Sequence, residues 1–154
     1  MNMEIQAALD VADETDSFLQ ITDVIFDLEA EQGYPQLNEA EQTVFLIDHL
    51  LREMDNGGFD QFMHHEAGAR AQDTVFALER IRAKESQAIL DRLIDLFPNR
   101  LVPVDEDERI ALFDQLEREM TDDITQLNEH FHETGENLVE LTLKYVAKHI
   151  KDFR

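Results

Sequence analysis

The sequence has no cysteine, which removes disulfides and thiolate chemistry and leaves the redox compartment open. No apolar run approaches the roughly 20 residues that span a bilayer. Met1-Asn2-Met3-Glu4 has neither the basic flank nor the apolar stretch of a signal peptide, so a soluble cytoplasmic protein is expected. Runs that alternate apolar and polar residues are missing too, which removes strands from the expectation. Bases are the scarcest resource: 13 Lys and Arg stand against 35 Asp and Glu, a net charge of −22. Such a field repels nucleic acid and anionic membranes and attracts a basic protein.

What is present is helix. With 43% of residues apolar or aromatic and recurring at helical spacing, the chain is no disordered acidic tail. Its 154 residues fit one domain, 1–154, that buries roughly 68–70% of its unfolded surface. A short helix is predicted over residues 4–12, with Thr15-Asp16-Ser17 offering caps to a second over about 17–32. Phe18, Ile21, Val24, Ile25 and Leu28 form the apolar stripe of that second helix, and Asp23, Asp27 and Glu31 recur at i+4 on another face. Gly33-Tyr34-Pro35 ends it. Asn38 and Glu41 have capping-box spacing at the head of a third helix running to about Asp55, apolar on so many sides that it is expected at the centre. Asn56-Gly57-Gly58 then turns the chain into a short helix, residues 59–65, that carries Phe59, Phe62 and Met63 on one face. Further helices are read over 69–83, from a Ser86 cap to Pro98, from Asp105 to about Glu133, and after Gly135. Thr121-Asp122-Asp123 offers a cap that would divide the long one. The expected fold is all-α, a compact bundle of about seven or eight helices without internal repeats.

Acid is unevenly placed. Residues 1–66 hold 16 acids against Arg52 alone, and residues 101–141 hold 13 against two bases; residues 67–100 are near neutral and the last 13 are weakly basic. Chemistry is harder to find. Glu129-x-x-His132 is the unit of carboxylate-bridged di-iron bundles, but no second unit accompanies it. His64 and His65 are adjacent and point about 100° apart on a helix. Ser17 and Ser86 read as caps, and no phosphate-cradling glycine loop or Gly-x-Ser-x-Gly occurs. No catalytic group, metal or cofactor is expected, and no carboxylate pair stands out from a solvated acidic surface. Asn56 and Gln61 are unreactive amides that, if buried, would bond backbone at the turn.

The run Asn56-Gly57-Gly58-Phe59-Asp60-Gln61-Phe62-Met63, then Gly68, Ala71, Ala77 through Ala83 and Ala88-Ile89-Leu90, resembles a bacterial all-helical domain family of once-unknown function. That family carries an N-G-G-F-x-Q-[FY]-[FL] motif and a later helix with an A-L-x-x-I-G-A-like ending; its best-known type member is a DNA-mimic protein. The likeness covers about residues 44–97. Met63, His65 and Arg82 depart from it, at positions where an aromatic or leucine, an asparagine and a glycine are common. The resemblance implies an all-helical scaffold and a homodimer, and the lack of catalytic motifs leaves an enzyme with little support.

Mimicry has a physical form. Carboxylates at i and i+4 rise about 6 Å, whereas each DNA strand has a phosphate about every 3.4 Å. One row such as Asp23, Asp27 and Glu31 is about half as dense as one strand, so neighbouring acidic helices or subunits are needed to approach a duplex. The expected partner-binding residues are Asp16, Asp23, Asp27, Glu31, Asp105, Glu106, Asp107 and Glu108, and the expected partner is a basic DNA-binding protein. Two other readings fit the same charge: an acidic adaptor or immunity-type protein whose basic partner does not bind DNA, and adaptation to a saline cytoplasm. Clustered rather than evenly spread acids argue against the last.

Overall fold

A computed structural model describes residues 2–154; Met1, the first residue of the stretch read for a signal peptide, lies outside the described residues. Among the described residues there are nine α-helices, three 3-10 turns and no strand. The helices are α1 (Met3–Leu9), α2 (Glu14–Gln32), α3 (Glu39–His64), α4 (Glu66–Ala69), α5 (Ala71–Arg80), α6 (Lys84–Asp95), α7 (Glu106–Glu119), α8 (Thr121–Glu133) and α9 (Leu138–Lys148). No helix is long and apolar enough to cross a membrane. The fold is all-α as the spacing predicts, with more helices than expected because short turns divide runs that share one apolar stripe.

Several boundaries differ from expectation, each for a local reason. The cap of α2 is Asp13, whose carboxylate accepts the Asp16 N–H at 2.9 Å. Ser17 is not a cap; it is buried and its hydroxyl donates to the Ala8 carbonyl, tying α2 to α1. Ser86 likewise lies inside α6. That helix is capped from a distance by Glu136, which accepts the Glu85 and Ser86 N–H groups with its two oxygens at 2.9 and 2.8 Å. The stripe from Phe113 to Phe131 is divided at Met120 (φ −130°, ψ 42°), so α7 and α8 are separate helices. The capping box at Asn38 and Glu41 is present in both halves.

Helix α3 is the axis. From Val44 to Leu50 every residue except His49 is buried, as befits a helix packed by α2, α4, α5, α7, α8 and α9. His49 sits between the rings of Phe26 and Phe45, at 5.5 and 4.1 Å, and burial pushes its imidazole down to about 4, so it packs as a neutral ring. The helical run does not end at Asp55. It continues through Asn56 and Gly57 and breaks its direction at Gly58, the one non-helical residue within it (φ 70°, ψ −156°). The Phe59 N–H at that break donates to Asn128 Oδ1 at 2.8 Å. A Cβ on Gly58 would lie 2.6 Å from the same oxygen, so the position requires glycine twice over. Beyond the break, Phe59, Phe62 and Met63 are fully buried.

The end of α3 is held by a residue the sequence did not single out. Arg109 of α7 is 1% exposed. Its guanidinium donates to the carbonyls of Met63 and His65 at the end of α3, both at 2.9 Å, and to those of Pro103 and Val104 at 3.2 and 2.9 Å. Helix α4 crosses this point so closely that a Cβ on Gly68 would lie 2.8 Å from the Phe62 carbonyl oxygen and 2.9 Å from Arg109 Nε. At the other end of α3, buried Glu41 accepts from the Arg154 guanidinium at 3.0 Å, while Asn2 and Asn38 bond the backbone of residues 152–154.

Replacing Arg109 by Met keeps the aliphatic stem but leaves four carbonyls without their donor, so Arg109→Met is expected to lose about 3–5 kcal/mol of stability. Urea unfolding monitored by circular dichroism measures it, and a loss below about 1 kcal/mol would show that water replaces the guanidinium.

Candidate partner-binding surface

Helix α2 presents the clearest acidic row. Asp16, Asp23, Asp27 and Glu31 are all exposed. At about 100° per residue they fall within an arc of about 80°, spread over about 22 Å of helix. None takes part in an ion pair within 4 Å among the described residues, unlike Asp48, Glu53, Asp91 or Glu140, each matched to a base or histidine. The opposite face of α2 is fixed to the core by Phe18, Ile21 and Ile25. The row also bears on the interior. Asp48, buried on α3, has its carboxyl pushed up by burial and further by Asp23, against the pull of Arg52. Arg52 Nε lies 3.0 Å from Asp48 Oδ2, yet outside hydrogen-bonding geometry, so the contact is Coulombic rather than a directed bond.

The second acidic run is different. Asp105, Glu106, Asp107 and Glu108 are exposed, but Asp105 is the N-cap of α7 and accepts the Glu108 N–H at 2.9 Å. Asp105 and Glu106, with Glu66, also offset the burial that presses Arg109 toward neutrality. These carboxylates therefore have structural work where the α2 row has little. The two runs are not brought together. Helix α2 meets α3 around residues 45–52, through Phe26, Phe45, His49 and Arg52. Helix α7 meets α3 beyond Gly58, through His64 and Met63.

Of the glycine motif, Gly58, Phe59 and Phe62 are buried, and Asn56 and Gly57 are exposed. Gln61 bonds the His65 ring at 3.2 Å rather than the turn backbone; the amide that bonds the turn is Asn128, distant in sequence. Asn128 and Arg109 left no local signal. A lone Asn within a helix and a lone Arg after four acids both read as surface until the chain is folded.

Folding also assembles a titrating cluster. His64 donates from Nδ1 to the Asp60 carbonyl at 2.6 Å and from Nε2 to Asp114 Oδ1 at 2.8 Å. Burial opposes its charge, but those bonds and the two carboxylates outweigh it and raise its pKa. Glu117 faces Asp60, and burial, a hydrogen bond with Asp60 and the charge of Asp60 push its carboxyl up to about 7. Ligand atoms of Asp60, His64 and Asp114 lie within 4.8 Å of one another, so these are the residues that could hold a divalent ion. Glu129 and His132 are exposed and form no such group among the described residues.

A family model described as DMP19-like protein matches residues 35–149, a span that includes the glycine motif, α7 and α8, whereas α2 with its acidic row lies wholly before it. No curated protein and no solved structure gives a significant match.

The ordinary value for Glu117 is 4.5, and its folded value of about 7 means that folding favours the protonated form. Its stabilising contribution is complete below pH 4.5 and is lost as pH rises through 7. Glu117→Gln should therefore raise the thermal midpoint at pH 8 by about 2–4 °C and change it little at pH 5. Equal shifts at both values would disprove the assignment.

Proposed function

The chain belongs to the DMP19-like protein family, and from that membership we propose that it is a DNA mimic, a non-enzymatic inhibitor that occupies the basic DNA-binding surface of a transcription factor or other nucleic-acid-binding protein. The observation that carries this reading is the α2 row: Asp16, Asp23, Asp27 and Glu31 are exposed, aligned on a folded helix and without ion-pair partners among the described residues. Carboxylates that neutralise nothing within their own molecule raise its self-repulsion, and an opposing Lys/Arg surface relieves it. Binding releases the counterions of both surfaces and excludes DNA from the partner.

The density of charge sets a requirement. Four carboxylates over about 22 Å compare with six or seven phosphates over the same length of one strand, at about 3.4 Å each. A homodimer that sets two rows side by side supplies the remainder, so the acting unit is proposed to be the dimer. The run Asp105 to Glu108 is the secondary contact, because part of its charge is already matched by Arg109.

Capture of the partner from native lysate on immobilised protein, followed by displacement with duplex DNA at 50 and 300 mM salt, separates mimicry from its rival. A captured partner that has no affinity for DNA identifies an acidic adaptor instead. The triple variant Asp23→Lys, Asp27→Lys, Glu31→Lys should weaken capture at least about a hundredfold, three desolvated charge pairs being lost. It should leave helicity unchanged, since all three side chains are exposed, and removing the Asp23 charge relieves buried Asp48. Undiminished capture would move the site away from α2.

A further inference from the structure

One groove is basic on this acidic molecule. It lies between the N-terminus of α3, the turn after α5 and the end of α9, and encloses about 490 Å³, within the range that holds small organic ligands. Arg80, Arg82, Lys144, Lys148 and His149 line it together with one acid, Glu39, and four of the chain's 13 Lys and Arg residues are among them. Several of these charges are already engaged: Arg80 with Glu39 at 2.9 Å, Lys144 with Glu140 at 2.9 Å and His149 with Asp152 at 3.4 Å. Arg82 and Lys148 enter no ion pair within 4 Å among the described residues.

Basic side chains at helix ends are ordinary, because they face the negative end of the helix dipole. That accounts for Arg80 and Lys148, in the last turns of α5 and α9. It does not account for Arg82. This residue lies beyond α5, where Arg82 N–H bonds the Glu79 carbonyl and Ala83 N–H bonds the Leu78 carbonyl, and its φ is +66°. Glycine is the residue suited to that left-handed position, and an arginine is strained there. Arg100 is strained in the same way (φ 58°), but its guanidinium is held by Asp91 at 2.6 Å and by Asp95. Among the described residues the Arg82 guanidinium has no hydrogen-bond or ion-pair acceptor. Arg82 is exposed, and a strained backbone that places an unpaired guanidinium at the edge of this groove is a feature that local stability does not explain.

We propose that this groove binds an organic phosphate monoester, with Arg82 and Lys148 on the phosphate and Ile81, Leu141 and Tyr145 against the organic body. Two unmatched cations suit the charge of about −1.5 to −2 that a phosphate monoester carries at pH 7. The planar guanidinium of Arg82 offers it two parallel N–H donors. Ile81, Leu141 and Tyr145 supply an apolar wall, Tyr145 being held by its contact with the His149 ring at 4.3 Å. The surrounding net charge of −22 opposes anions generally, and screening over about 8 Å at physiological salt leaves the groove's own cations in control. This site is independent of the mimicry proposed for α2.

The test is titration of the intact ¹⁵N-labelled protein with AMP, with adenosine and inorganic phosphate as controls. AMP is expected to shift the amides of residues 80–83 and 144–149, inorganic phosphate to shift the same amides more weakly, and adenosine to leave them unmoved. Arg82→Gly should weaken AMP at least about tenfold, the loss of one charge-assisted contact, while raising the thermal midpoint by about 2–4 °C as the strain is released. Lys148→Ala, at an exposed position, should weaken AMP to a similar extent with little effect on the midpoint. The proposal fails if AMP leaves those amides unmoved, if Arg82→Gly binds AMP as tightly as the parent, or if that variant is destabilised, which would make Arg82 a structural residue. It also fails if concentration-dependent self-association shifts the same amides and Arg82→Gly abolishes it, because an acidic surface of a second copy would then be the occupant.

Discussion

A buried guanidinium bonded only to backbone holds the second half of this fold in place. Arg109 joins three segments that the chain supplies separately: the end of α3, the connection through Pro103 and Val104, and α7 itself. Its partners are carbonyls rather than a carboxylate, and two of them lie at the end of α3, where the helix dipole is negative, that of His65 also accepting the Gly68 N–H. The acids that surround it, Glu106, Asp105 and Glu66, act at longer range to keep the charge favourable. Gly68 is required because α4 must pass over this junction in backbone contact. Gly58 and Asn128 perform the matching task at the bend of α3, and together the two junctions give the segment carrying Phe59, Phe62 and Met63 its direction into the core.

This arrangement shows how a molecule of charge −22 remains folded. The interior acids are few and each is managed by a different device. Glu41 is paired with Arg154 and accepts the Asn38 N–H; Asp48 faces Arg52 and has its proton affinity raised by burial; half-buried Glu117 has its carboxyl pushed up by burial and by Asp60 beside it. The remaining carboxylates are at the surface, where water screens them. Some still serve the fold, as Asp13, Asp105 and Glu136 do at helix N-termini. Asp23, Asp27 and Glu31 enter no ion pair among the described residues, a property they share with exposed acids elsewhere, such as Asp122, Glu129 and Glu133 of α8. The basic groove is the converse case: among the described residues Arg82 is a cation without an ion-pair partner.

Much of the scaffold was legible because helix signals are local. The stripe of α2, the capping box at Asn38 and the all-round apolarity of α3 are properties of neighbouring residues, and each appears where the spacing placed it. Helix ends fared less well. Ser17 and Ser86 have cap chemistry, but a hydroxyl is equally suited to bonding a buried carbonyl or lying inside a first turn, and only the neighbours decide which. The break at Gly58 was legible as a glycine effect, whereas continuation of the helix through Asn56 and Gly57 was not. That register depends on Asn128, 70 positions along the chain from Gly58.

The sequence by itself determined the helical class, the central place of α3, the polarity of each helix face and the uneven sign of the charge, because these follow from spacing along one strand of chain. The tertiary structure decided which charges are answered. It matched Glu41 to Arg154 and Glu136 to the head of α6, buried Arg109 against carbonyls, gathered Asp60, His64, Asp114 and Glu117 from two helices, and left the α2 row and Arg82 without ion-pair partners among the described residues. Pairing depends on distance in space, and a Coulombic contact or a hydrogen bond between residues 50 or 100 apart has no signature at either position until the helices pack.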